Sequence, residues 1–283
     1  MKKALSLLAV FLITAMWSVT GFSADKYVSG NIGITWFDDS PVEHTFFNND
    51  FLGIDGNVDL DSGLALMGAL GCDWGDYRIE GELGYQSSDF KTLTIGGPGI
   101  DELEDFINDL TINGEDIDLP NPIDIDLEGD LDVITLLFNG YYDIDLGGVE
   151  LFLTAGAGAA QIESHNVALK GVSEIPTQGE IPDFSQLGLS ISENVFAYQI
   201  GAGLGIPVAD NIMLDVKYRY FATRNFTIDA DVGVGGGVSF PDGENGGGNG
   251  LPEMDPVLVG VVSSGINTSI SNHSALLGLR VNF

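Results

Sequence analysis

The sequence predicts an all-β protein, a closed eight-stranded antiparallel up-and-down barrel that crosses a membrane, with four long extracellular loops. Three observations predict it. Period-2 alternation of apolar and polar residues recurs in eight segments. The connections between these segments alternate strictly between tight turns and long excursions. On three segments ionisable residues fill one face while the opposite face is apolar or aromatic.

The first strand spans 27–37, setting Val28, Ile32, Ile34 and Trp36 against Ser29, Asn31, Gly33 and Thr35. The second, 63–73, places Leu64, Leu66 and Leu70 on its apolar face. The third, 77–86, sets Tyr77, Ile79, Leu83 and Tyr85 against Arg78, Glu80, Glu82 and Gln86. The fourth and fifth are 132–143 and 149–162, the latter with Gly156 and Gly158. The sixth, 195–207, alternates Phe196, Tyr198, Ile200, Leu204 and Ile206 with Gln199 and three glycines. The seventh, 212–221, opposes Ile212, Leu214, Val216, Tyr218 and Tyr220 to Asp215, Lys217 and Arg219. The eighth, 274–283, opposes Ala275, Leu277, Leu279, Val281 and Phe283 to Ser274, Gly278, Arg280 and Asn282.

Short turns fall at 75–76, 145–148 and 208–211, and long connections at 38–62, 87–131, 163–194 and 222–273. Excursions this long are uncommon in compact soluble domains. A strand of about 9–11 residues crosses a tilted path through a bilayer. An open sheet would leave unpaired backbone groups in lipid, so the ring must close. Ionised groups are costly in hydrocarbon, which turns Arg78, Glu80, Glu82, Asp215, Lys217, Arg219 and Arg280 inward. Eight strands leave an interior just wide enough for side chains, so these charges are expected to pair across a plugged lumen. The glycines on the inner face of the sixth strand make room for them. Aromatic girdles are expected from Trp36, Tyr85, Phe196, Tyr198 and Tyr220 at the loop end and Trp74, Tyr77, Tyr142 and Phe283 at the turn end.

Composition narrows the function classes. The 283 residues include 42 Asp and Glu against 10 Lys and Arg, a formal net charge of -32, which excludes nucleic acid as a partner. With 44% hydrophobic residues and a mean hydropathy of +0.19, the chain is too apolar to be a disordered acidic tail. The single Cys72 excludes a disulfide framework within the chain. Lys2 and Lys3 precede an apolar stretch over 4–19 and a small-residue site at Ser23 and Ala24. Residues 1–24 therefore read as a secretory signal peptide and 25–283 as one barrel domain.

The four long connections hold 31 of the 42 acidic residues, opposed only by Lys91, Lys170 and Arg224. Such a surface stays solvated by mutual repulsion. Clustered carboxylates also suit Ca²⁺ or Mg²⁺, and no other cofactor is expected. The best candidate is Asp124, Asp126, Glu128, Asp130 and Asp132, which begins like an EF-hand loop but has Thr135 at the twelfth position. Its alternation with Ile and Leu reads better as a strand continuing above the membrane. Ile100, Leu103, Phe106, Ile107 and Leu110 have helical spacing, suited to packing at the barrel mouth. The glycine runs 233–237 and 246–250 lack the context of a phosphate loop. His44, His165 and His273 lie in or beside loops, and His273 next to Ser274 is the only pair that invites a hydrolytic reading. Nothing else supports one, and no enzyme activity is expected.

The order and spacing of several segments resemble a known family. They are Tyr27-Val28-Ser29-Gly30, Tyr77-Arg78-Ile79-Glu80-Gly81-Glu82, Asn139-Gly140-Tyr141-Tyr142-Asp143, Tyr198 through Gly203, Leu214 through Phe221, and Arg280-Val281-Asn282-Phe283. Together they are similar to the eight-stranded outer-membrane β-barrel domain of the opacity-protein and OmpA type. The resemblance covers the strands of the chain but not its loops. It implies a Gram-negative-type outer membrane, periplasmic termini, four outer loops, contact with membrane lipid and lipopolysaccharide, and Phe283 as the terminal aromatic signal read by the barrel-assembly machinery. It implies no single activity, since such folds serve as anchors, adhesins and small channels. The expectation is a structural or surface-interaction role presenting acidic loops. The alternative is a small porin-like channel, for which neutralising Arg280 or Glu82 should alter conductance. A soluble secreted β protein is the third reading.

Overall fold

The computed structural model describes residues 24–46, 52–96, 100, 121–170, 192–232 and 262–283. The proposed leader, the helical-spacing stripe beyond Ile100 and the glycine runs lie outside them. Twelve strands are present in chain order: β1 Asp25–Phe37, β2 Ser40–Phe46, β3 Leu52–Leu60, β4 Gly63–Asp73, β5 Tyr77–Gly96 and β6 Ile123–Asp145. The order continues with β7 Glu150–Lys170, β8 Ser192–Ala209, β9 Ile212–Thr223, β10 Phe226–Val232, β11 Val262–Thr268 and β12 Ser271–Asn282.

Eight of these strands close a ring in the order β1, β4, β5, β6, β7, β8, β9, β12, every neighbouring pair antiparallel. Closure occurs where the first strand meets the last: Val28 lies opposite Val281, and Lys26 and Phe283 exchange backbone hydrogen bonds of 3.3 and 2.8 Å. The tight turns are built by local chemistry. Gly75, at φ +94°, takes a left-handed conformation that L side chains rarely adopt, and its N–H donates to Asp73 Oδ1 at 2.7 Å. Gly147, at φ +82°, repeats the device with Asp145 Oδ1 at 2.8 Å.

The strand faces follow the alternation. Outward residues such as Ile32, Phe138, Ile200 and Leu279 are all more than half exposed, while Glu82, Gln86, Asn139 and Arg219 on the other face are at most 0% exposed. An exterior more apolar than the interior inverts the pattern of a soluble protein. The expected girdle residues stand on this exterior: Trp36, Tyr85, Phe196 and Tyr198 at one end, Trp74, Tyr77, Tyr142 and Phe283 at the other. Tyr77 to Tyr85 on β5 is about 27 Å of strand, or about 20 Å of height at the usual tilt, comparable with a bilayer's hydrocarbon band.

The long connections differ from simple loops. β5, β6 and β7 run on beyond the ring, and β3 pairs with the upper half of β5 while β2, β11 and β10 continue the sheet. The physical cause is that alternation persists past the girdle, as in Leu93 and Thr94 on β5 and Ile125, Asp126, Leu127 and Glu128 on β6. These extensions form a β wall rising from one end of the barrel.

Candidate functional site

The candidate site is the barrel interior, built of three tiers. At the turn end Arg78 on β5 donates to both oxygens of Asp143 on β6, at 2.5 and 2.7 Å. Paired N–H donors on a planar guanidinium match a carboxylate in this way. The Arg78 guanidinium is also enclosed by the rings of Tyr141, Phe152 and Tyr27, with centroids at 4.5, 5.3 and 5.7 Å. Beside it Arg280 on β12 meets Glu150 at 2.5 Å and Asp215 at 3.4 Å, with Asp73 at 3.8 Å. Gly205 on β8 gives these groups their space: a Cβ there would stand 3.0 Å from Arg280 Nη2 and 3.1 Å from Asp215 Oδ1.

The middle tier centres on two buried carboxylates of β5. Glu80 accepts from the hydroxyls of Tyr27 and Tyr141 and from Asn139 Nδ2. Glu82 accepts from Asn139 at 3.3 Å, Gln199 at 3.4 Å and Lys217 at 3.5 Å, and Arg219 lies 3.8 Å away. Arg219 continues upward to Gln199 and to Ser274, which donates to Thr35, which in turn donates to Gln86. Above this the lumen turns apolar. Val133, Leu137, Ile162, Ala197, Phe221 and Ile270 form one buried cluster, against which Phe37, Val58, Phe90 and Phe226 pack.

The structure brings all seven sequence-expected lumen residues inward and places them in two adjoining tiers. Sequence reasoning missed their partners Asp143 and Glu150 and the neutral donors Tyr27, Tyr141 and Asn139, and it set Gln199 on the inner face of the sixth strand without giving it a partner. A signal existed, since Asn139, Tyr141 and Asp143 alternate on one face of β6 across from Glu80 and Arg78. It also missed the apolar tier, because Val133 and Phe221 look like lipid-facing residues when read without knowing which face points in.

The acidic residues of β6 do not converge. Asp124, Asp126, Glu128, Asp130 and Asp132 are spread along one strand, the first four exposed. Alternate residues on a strand lie about 7 Å apart, whereas Ca²⁺ holds its oxygens at about 2.3–2.6 Å. Among the described residues no group of three or more His, Cys, Asp or Glu is placed to hold a metal. Asp132 instead accepts from Tyr85 at 2.8 Å, and Asp124 from Thr94 at 2.7 Å. The Asp89 carboxyl is raised from its ordinary value, chiefly by its hydrogen bond with Asp130. His273 and Ser274 diverge. The imidazole joins Tyr218 on the exterior at 2.5 Å and Asp38 at 3.4 Å, while the serine hydroxyl points into the lumen.

A closed ring of eight strands with an apolar exterior and a charged interior is the pattern of a membrane-spanning barrel, and comparison with known proteins decides the matter. Residues 5–283 match the outer membrane protein beta-barrel domain. The chain belongs to the outer-membrane β-barrel family. Among curated proteins it is similar to outer membrane protein PagN of Salmonella typhimurium, 26% identical over 239 residues, covering 81% of this chain and 87% of that one. Among solved structures it shares its fold with the outer membrane protein OprG from Pseudomonas aeruginosa, at a TM-score of 0.51 and 11% identity, covering 92% and 96% of the two chains. For an outer-membrane β-barrel protein the apolar exterior is the lipid-facing surface, and the aromatic rings at its two ends mark the interfaces. The tiers of paired charge then lie inside the wall, shielded from hydrocarbon.

Proposed function

We propose that this outer-membrane barrel is a closed anchor that holds an acidic β wall outside the cell as an interaction surface, with both chain ends on the periplasmic side. The observation that carries the reading is the filled lumen, whose apolar tier blocks the path above the paired charges. A charged lumen alone would suit a water-filled pore, but an apolar constriction resists wetting. Investing chain in strands that rise beyond the girdle, with the carboxylates of β6 pointing outward, fits presentation better than conduction. Lipid and lipopolysaccharide surround the barrel in this reading, and the aromatic Phe283 serves assembly.

Single cysteines labelled on intact cells with a membrane-impermeant maleimide test the arrangement. Asp126→Cys, on the wall, is expected to label fully, and Asp145→Cys, at the turn end, only after the outer membrane is broken. Equal labelling of Asp145→Cys on intact cells would reverse the orientation and remove the surface role.

A further inference from the structure

The inner face of β1 reaches across the lumen at both of its ends. Near the turn end Tyr27 donates to Glu80, and near the wall end Thr35 donates to Gln86 and accepts from Ser274. Between them Ser29 and Asn31 make no hydrogen bond to another side chain among the described residues, although Ser29 is only 9% exposed. A hydroxyl so far removed from bulk solvent needs a partner. Lys217, on β9, is in a similar position. Its ammonium has three donors, and hydrogen bonds among the described residues use one of them, at 3.5 Å to Glu82.

These groups share one enclosed cavity between the lower and middle tiers, lined by Ser29, Asn31, Arg78, Glu80, Asp215 and Lys217. Room for the centre of a guest is about 10 Å³, which fits one water and nothing larger. Charge selects the same occupant. Arg78 and Lys217 bring two positive charges and Glu80 and Asp215 two negative ones, so neither a cation nor an anion is favoured by the lining. A neutral molecule that donates and accepts at once satisfies it. Such a guest accepts from Lys217 and donates to Asp215, and Ser29 and Asn31 complete a set of about four bonds. We propose that this cavity binds one water molecule, which ties the middle of β1 to β9 across the lumen. The water also joins the tier of Arg280 and Asp215 to that of Lys217 and Glu82. Because β1 meets β12 to complete the ring, the bond braces a strand of the closing seam.

Crystals of the refolded full chain, grown in sodium chloride and again in rubidium bromide, test this. The expected result is one density peak within about 3.2 Å of both Lys217 Nζ and an Asp215 oxygen, with no anomalous signal in the rubidium bromide crystal. An anomalous peak would put a monovalent ion in the cavity, and a cavity without density would leave nothing bound; either overturns the proposal. Ser29→Val fills the cavity from β1 and should remove the peak, keep heat-modifiable gel migration and speed unfolding in urea about tenfold. Should that variant fail to fold, Asn31→Leu removes the polar group of the neighbouring position, with the same expectation. A folded variant that unfolds at the unaltered rate would remove the bracing role. So would equal acceleration by Ser29→Ala, which leaves room for the water and would assign the effect to the lost hydroxyl alone.

Discussion

Three hydrogen-bond donors and the Arg219 guanidinium face the single carboxylate of Glu82, and two of the four are cations with no exposed surface to retreat to. Removing one partner of a buried charge pair strands the other and typically costs about 3–5 kcal/mol. Glu82→Gln is therefore expected to lower the urea midpoint of the refolded barrel by that equivalent, leaving Lys217 and Arg219 without their shared anion. Arg280→Gln should cost less, since two of its three partners, Glu150 and Asp73, are partly exposed and can rehydrate, leaving Asp215 as the one buried carboxylate stranded. Lys91→Gln, which removes the exposed Lys91–Asp59 pair at 3.0 Å, should cost nothing measurable, as is common for screened surface pairs. Unfolding titrations of the three variants in one detergent rank these effects, and equal losses would contradict the tiered lumen. The charged residues themselves were legible in sequence, because an ionised group alternating with Leu or Tyr has one place to go. Their partners were not, since pairing Arg78 with Asp143 requires the β5–β6 register.

For the strands, the sequence-expected segments 27–37, 63–73 and 212–221 match β1, β4 and β9 to within two residues. What escaped notice was the growth of β5, β6 and β7 past the membrane and the strands β2, β3, β10 and β11. Their alternation mixes Thr, Asn and Asp with the apolar positions, and their pairing depends on neighbours remote in sequence. Because every ring pairing is made without β2 and β3, replacing 40–60 by a short turn is expected to leave heat-modifiable migration intact. The melting temperature should fall, as Val58 and Leu60 leave the apolar tier. Loss of the folded band would show that the wall is needed for closure. The glycines divide by face in a testable way. A Cβ at Gly203 runs into the ring of Phe152 and the Val216 carbonyl, whereas one at Gly30 meets open space. Gly203→Val should prevent recovery of the folded band and Gly30→Leu should not, and the reverse result would contradict the assigned inward and outward faces.

Over the whole molecule, the excess negative charge belongs to the wall and connections, and the membrane ring carries its ions in pairs. The sequence suggested a lumen plugged by paired charges, and only in its alternative, a small channel gated by those pairs, would neutralising Glu82 or Arg280 change conduction. The structure adds an apolar tier above them at Val133, Leu137, Ile162 and Phe221, and among the described residues no ion pair joins that cluster. Planar-bilayer recording tests that placement most directly. The unaltered barrel and Arg280→Gln should both be silent, while Leu137→Asn combined with Phe221→Ser, which wets the apolar tier, should give conductance steps. Reproducible steps from the unaltered protein would contradict the closed anchor.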